Sequence, residues 1–373
     1  MWDRLPLDLL AHVFSFLAPG VLARAVATCR HWRACAVSHP SPRGGPRREG
    51  VFPWFLAVCN RATAAGSPPC FVYVPELRRW HVLLLDFLHF SVRVVSPVAP
   101  GLLLCRLGTG GGGRLLLCNP FTRQHRLLPE LMTPRSSPAV GVVVEAAGGG
   151  AASFKVFVAG GATTGGYEPT LEVYDSRVGG WRRAGTTPAG FAVRLTVWTP
   201  NECVVAGGVV YWMTSARAYS VMGLEVATGA WREVKAPLAE RLQWAALVER
   251  RSGKLGLVGG CAGAEGRVWE LAEGDEWVVV GEVPAEATER ISGGGGATRC
   301  VGSEGEVYLY GELGQGMAVG RELDGRWEWE WVGGCCSALA AELKALPGAA
   351  SAPLKAVLLH PTLSPSSCFL QDP

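Results

Sequence analysis

The chain has 373 residues, 49% of them hydrophobic, enough to bury one large core or a small module joined to a large one. Its 35 Lys+Arg and 32 Asp+Glu leave a formal charge of +3, too near neutral for a nucleic-acid footprint or a membrane-surface field. Asp3, Arg4, Asp8 and His12 interrupt the start, so no export signal is expected.

The most apolar later stretch, "WHVLLLDFLHFSVRVV", meets Asp86, His89 and Arg93 before reaching the ~20 apolar residues of a membrane helix, so no membrane span is expected. The twelve cysteines are scattered with no CxxC pair. Without an export signal they read as reduced, mostly buried thiols, which suits a cytoplasmic or nuclear protein.

Residues 5–37 read as helical. Leu5, Leu9, Leu10, Val13, Phe14 and Leu17 recur at the spacing of one helical face, and Ala-Pro-Gly at 18–20 breaks that helix. Val21, Leu22, Ala25, Val26, Cys29 and Trp32 then resume the helical period. From 38 to 50, "SHPSPRGGPRREG" has no period and reads as a linker.

Beyond residue 50 the pattern changes to short Val, Leu, Tyr and Phe runs punctuated by Gly and Pro, which predicts strands. Six hairpin-like units recur: "VYVPELRRW" ending at Trp80, "LLCNPFTRQH" at 116–125 with Gln124-His125 where a tryptophan would stand, "LEVYDSRVGGW" ending at Trp181, "GLEVATGAW" at Trp231, "VWELAEGDEW" at Trp277 and "GRELDGRW" at Trp327. The last four lie 50, 46 and 50 residues apart. Upstream of most stands another strand, as in "KVFVAGG", "VVYWMT", "LGLVGG" and "VYLYGE". A repeat of this length holding four short strands is the mark of a propeller blade, and six such units fit between 51 and 334.

A four-stranded blade cannot cover both of its faces alone, and a radial arrangement covers each with a neighbour. The hairpin tryptophans are then expected to pack between blades, each burying roughly 150–250 Å². In the last segment, 335–373, "CSALAAELKAL" reads as a helix and 355–360 as a strand, expected to complete the first unit and close the ring.

Catalytic and metal motifs are missing or out of context. "GTGGGG" places GxGxxG at Gly108, Gly110 and Gly113, but a strand follows where a dinucleotide site needs a helix, so it reads as a loop. There is no GK[ST], HExxH or GxSxG element. The seven histidines form no paired ligand spacing, and Cys29, His31 and Cys35 alternate around a predicted helix. Vicinal Cys335 and Cys336 read as buried or half-buried thiols. Neither a metal nor another cofactor is expected.

"LPLDLLAHVFSFLAPGVLARAVATCRHWRACA" resembles an F-box, with its Leu-Pro-x-Asp-Leu opening and closing Cys-Arg-x-Trp. The repeats resemble kelch blades, most clearly in "VFVAGG…LEVYDSRVGGW", and "LCNPFTRQHRLLP" is similar to the Asn-Pro-x-Thr segment of plant F-box proteins. The resemblance implies a small all-α F-box module at 1–37, a linker at 38–50, an all-β kelch-type β-propeller of six blades at 51–334, and a C-terminal helix and strand at 335–373.

It also implies a partner: a Skp1-type adaptor and, through it, a cullin-RING ubiquitin ligase. By position, Leu5, Pro6, Leu9, Leu10, Val13 and Phe14 would form much of the adaptor contact, with Val21, Leu22 and Val26 shared between it and the module's own packing. The propeller would hold an unknown protein substrate through loops at one mouth, where Tyr167, Arg217, Tyr219 and Arg267 are the candidates. The expected role is that of a non-catalytic substrate-specificity subunit. Two alternatives stay open: a propeller enzyme, and a binding scaffold without a role in degradation.

Overall fold

The computed structural model describes residues 5–15, 17, 25, 29–38, 52–59, 69–89, 92–108, 113–145, 153–197, 203–215, 218–261, 266–292, 297–335 and 354–361. The reading of 336–346 as a helix and nearly all of the linker lie outside them.

Two short helices, α1 (Leu7–Ser15) and α2 (Arg30–Ser38), make the N-terminal module. Their core is small: Leu10, Phe14, Ala25 and Cys35 are buried together, and Trp32 stands edge-on to Phe14 at 5.5 Å. Two polar contacts from α2 tie down the start of α1. The Cys35 thiol donates to the Leu7 carbonyl at 3.3 Å, and His31 Nε2 lies 3.3 Å from the Leu5 carbonyl oxygen.

The rest of the described chain is a six-bladed β-propeller of four-stranded antiparallel sheets. The innermost strands of blades 1 to 6 are Leu354–Leu359, Val92–Ala99, Ala139–Glu145, Cys203–Ala206, Leu242–Glu249 and Arg299–Ser303. These contact one another in cyclic order, so the ring is closed. The three outer strands of each blade follow in chain order, within 54–84, 102–127, 153–186, 209–235, 255–283 and 306–333.

Burial follows from this geometry. Middle strands are covered on both faces and are apolar almost throughout, as in Leu115–Asn119, where all five residues are buried. Outer strands have one covered face and alternate in exposure, as in Arg326–Gly333. Each of the six interfaces between neighbouring blades holds its own hydrophobic cluster, from Phe55, Trp80 and Tyr308 between blades 6 and 1 to Trp212, Leu195 and Leu224 between blades 3 and 4.

Tryptophans add directional clasps to these cores. The indole N–H of Trp80 donates to Gly333 O and that of Trp277 to Lys235 O, each the last residue of the preceding blade's outer strand, and that of Trp181 donates to Pro129 O, two residues past such a strand. In blade 6 the clasp is made by Trp329, donating to Glu282 O at 2.9 Å, while Trp327 stacks on it at 6.1 Å. Trp231 stacks on Trp212 at 5.7 Å and packs on Phe191.

Blade 1 takes its inner strand from the far end of the sequence: Trp54–Cys59 pairs with Leu354–Leu359 in a six-residue antiparallel register. Both neighbouring blades hold this strand. Blade 6 supplies the Tyr310 hydroxyl, which accepts from Ala356 N at 3.0 Å, and Arg299, which donates to Leu354 O. Lys355 Nζ reaches Val95 O of blade 2 at 2.9 Å.

The two faces of the ring differ. On one, the blades turn in tight hairpins such as Gly207–Gly208, Glu304–Gly305 and Asp324–Gly325, whose paired positive φ angles match strand twist. The chain enters here near Trp54 and leaves after Leu359. The opposite face carries the longer connections, including loop 128–138, a ribbon of Ala162–Thr163 and Gly166–Tyr167, and two helices, α3 (Ala189–Val197) and α4 (Ala285–Ser292). We call it the elaborated face.

Along the axis lies a cavity of about 430 Å³, walled by Val95, Val142, Val204, Leu247, Val301 and Val357, with Glu249, Glu304 and His360 among its lining residues. Among the described residues, no cluster of His, Cys, Asp and Glu suits a metal ion, and no helix is long and apolar enough to cross a membrane.

Candidate functional site

The first candidate surface is one face of α1. Helical spacing sends its apolar residues two ways. Leu10 and Phe14 turn inward and are only 1% and 3% exposed. Leu9 and Val13, four residues apart on the other side, are 48% and 45% exposed, with Leu7 and Pro6 also outside. This divides the residues that resemblance placed at the adaptor. Leu10 and Phe14 are the module's own core and support the surface from beneath, Leu5 is half-buried against that core, and Pro6, Leu9 and Val13 present the surface itself. Val21, Leu22 and Val26 lie outside the described residues.

The second is the elaborated face over blades 3 and 4, which a buried ion pair organises. Arg135, in loop 128–138, and Glu172, in strand Thr170–Asp175 of blade 3, are both fully buried and form a salt bridge. Arg135 also donates to Thr133 O, Gly160 O and Thr170 O. The Glu172 carboxylate in turn accepts from Met132 N at 2.8 Å and Thr133 N at 3.0 Å. One pair thus fixes the loop and both sides of the ribbon's base.

The ribbon joins the same body. Ser136 and Ala162 exchange two backbone hydrogen bonds of 2.9 Å, and Gly161 N donates to Thr196 Oγ1 of α3 at 2.8 Å. Gly160 and Gly161 have φ of +62° and +105°, and a Cβ on Gly161 would stand 3.0 Å from the Arg135 side chain. Both conformation and space demand glycine here. Below α3, the Arg194 side chain pairs with Glu233 of blade 4, and that hydrogen bond holds the Glu233 carboxyl below the usual carboxylate range.

On this platform Tyr167 and Met132 are exposed. Tyr219 stands at the start of its strand, half-buried between blades 4 and 5, with its hydroxyl 3.3 Å from Gln243 O. Arg267 is exposed near the start of a blade 5 strand, and Arg217 lies outside the described residues. Tyr167, Tyr219 and Arg267 therefore follow the second strands of three consecutive blades, but no direct contact joins them. Sequence reasoning passed over Arg135 and Glu172. The only local signal was a lone arginine in the Pro/Ser-rich loop "LMTPRSSP", and its partner lies 37 residues on.

Known proteins bear on the N-terminal module. The family described as F-box-like matches residues 2–41. The chain carries an F-box-like domain. Its homologues are plant F-box proteins. F-box only protein 6 of Arabidopsis thaliana is 25% identical over 64% of this chain, which spans 48% of that protein's length. Protein ABERRANT PANICLE ORGANIZATION 1 of Oryza sativa subsp. indica is 25% identical over 100% of this chain and 91% of its own. Protein UNUSUAL FLORAL ORGANS of Arabidopsis thaliana is 24% identical over 90% of this chain and 79% of its own. The exposed Leu9–Val13 stripe thus belongs to the F-box-like domain, and the elaborated face to the propeller that follows it.

Proposed function

We propose that this protein is the substrate-specificity subunit of an SCF-type ubiquitin ligase: the F-box-like domain binds a Skp1-type adaptor, and a kelch-type propeller holds the protein to be ubiquitinated. The observation that carries this reading is an F-box-like domain whose α1 leaves an apolar stripe uncovered while its inner side is already packed. The kelch-type assignment rests on blade 3, where the Gly160–Gly161 pair, Tyr174 and Trp181 take interlocking structural roles.

The polarity of the propeller supports a division of labour. The chain enters the ring on the tight-turn face, which leaves the elaborated face, with its longer and structured connections, for a substrate. The protein itself performs no chemistry in this reading. It raises the effective concentration of a target near a cullin-bound ubiquitin-charged enzyme.

The test is reconstitution. The full chain is combined with a Skp1-type adaptor, a cullin-RING module, ubiquitin and its activating and conjugating enzymes. Adaptor-dependent ubiquitination of the receptor chain is expected, and it should disappear with Leu9→Asp/Val13→Asp. Formation of the adaptor complex without any ubiquitin transfer would favour a scaffold.

A further inference from the structure

Blade 2 places two arginines directly opposite one another. Arg93, on the inner strand, is the register partner of Arg106, on the second strand Leu102–Leu107. Like charges so placed oppose strand pairing. Alternation sends both toward blade 3, because Val92, Val94 and Cys105 pack toward blade 1 while Leu104 packs toward blade 3. They stand at the elaborated end of the groove between blades 2 and 3.

Neither arginine has a carboxylate in a salt bridge among the described residues, and three acids of blade 3 and the loop before it are engaged elsewhere. Glu130 pairs with Arg114, Glu172 with Arg135, and Glu168 accepts from Thr170. Arg106 is half-buried. Its Nη2 donates to Pro138 O at the entry to blade 3, and its Nε is buried without a hydrogen-bond partner. Burial, and then the charge of Arg93, pull the Arg106 guanidinium down to about 10. The same end of the ring carries other cations. Three of the six inner strands begin with a cation in their first two residues, Arg93, Arg299 and Lys355, whereas Glu145 and Glu249 end theirs and Glu304 follows a third.

A desolvated cation with an orphaned N–H, repelled by a second cation beside it, lowers its free energy when an oxyanion arrives. Two arginines that face each other across a strand pair can also share one anionic group through several donors. We propose that Arg93 and Arg106 form an anion-recognition point on the elaborated face, taking the phosphate or carboxylate of a side chain on the bound protein. This rests on the substrate-receptor reading and adds a chemical class to it: a phosphorylated or acidic segment.

The experiment uses the full chain co-purified with a Skp1-type adaptor and three fluorescent degenerate peptide pools, with central serine, phosphoserine or glutamate, read by anisotropy. The wild type is expected to bind an anionic pool about tenfold or more tighter than the serine pool, with affinity falling as salt rises. Arg93→Gln and Arg106→Gln should each remove that preference, and Arg182→Gln, on the outer strand of blade 3, should not. A phosphoserine pool well above glutamate assigns the site to phosphorylated segments, and equal binding assigns it to acidic ones.

Equal binding of all three pools overturns the proposal, as does a preference that survives both substitutions. Arg93 is exposed, so Arg93→Gln provides a variant whose fold is not in question, and Arg106→Gln keeps a donor for Pro138 O. Adaptor co-elution reads the other claim separately. Intact co-elution without anion preference refutes this site alone, whereas lost co-elution with the preference retained refutes the ligase reading alone.

Discussion

A chain ending at Pro353 should lose its cooperative tertiary structure. The missing strand carries Leu354, Val357, Leu358 and Leu359, all buried against blades 1, 2 and 6. At ~1.5–3 kcal/mol for each large aliphatic side chain, their burial is worth roughly 6–12 kcal/mol. A folded domain has only about 5–15 kcal/mol in total. Truncation also strips Trp54–Cys59 of its inner partner and removes the bonds from Lys355 to Val95 O and from Ala356 to Tyr310. Thermal unfolding followed by near-ultraviolet circular dichroism suits a protein with fourteen tryptophans. The truncated chain should show no sharp transition, and a synthetic peptide spanning 351–362 should restore part of it. A truncated chain melting within about 2 °C of the full one, a difference of roughly 1 kcal/mol, would refute ring closure by this strand.

Other perturbations probe the organised face and the module. Arg135→Met leaves the buried Glu172 carboxylate without its cation and should cost about 3–5 kcal/mol. Adding Glu172→Gln should recover a substantial part of that, as urea unfolding would show. Leu10→Ala, in the core of the F-box-like domain, should cost about 2–5 kcal/mol. Leu9→Ala, on its surface, should change stability by less than about 0.5 kcal/mol. The clamp between α3 and blade 4 should depend on pH. Because Arg194 depresses the folded-state Glu233 carboxyl, the stabilisation is present above the ordinary carboxylate range and is lost as pH falls through the depressed value. Carboxyl resonances followed by NMR should show Glu233 returning toward the ordinary range in Arg194→Ala.

Much of the architecture is legible in the sequence because a propeller repeats its local signals. Each interface needs apolar middle strands, and an aromatic opening the outer strand recurs with them, so Trp80, Trp181 and Trp277 mark three blades directly. The same signals mislead where one residue type serves several ends. The clasp in blade 6 is made by Trp329, two residues past the marker at Trp327, because both lie on the same face of the strand. The glycine pairs also differ. Gly160–Gly161 is required by positive φ and by Arg135, whereas Gly259–Gly260 lies inside a strand, where a Cβ on Gly260 would press on Trp244.

Helical periodicity identifies an apolar α1 but not which of its two sides meets α2. Separating Leu9 and Val13 from Leu10 and Phe14 therefore takes the packed structure. Arg93, Arg106, Arg135 and Glu172 escape a linear reading for a related reason. Their significance lies in who stands opposite, across a strand pair or a connection between blades.

The substrate-receptor role stands or falls on adaptor binding. Co-expression with a Skp1-type adaptor, followed by size-exclusion chromatography of the wild type, Leu9→Asp/Val13→Asp and Leu10→Ala, measures it directly. The wild type should elute as a one-to-one complex, and the double variant as a folded chain without adaptor. A wild-type chain that stays soluble and alone, or a double variant that binds as the wild type does, would contradict the assignment of this surface and of the role built on it.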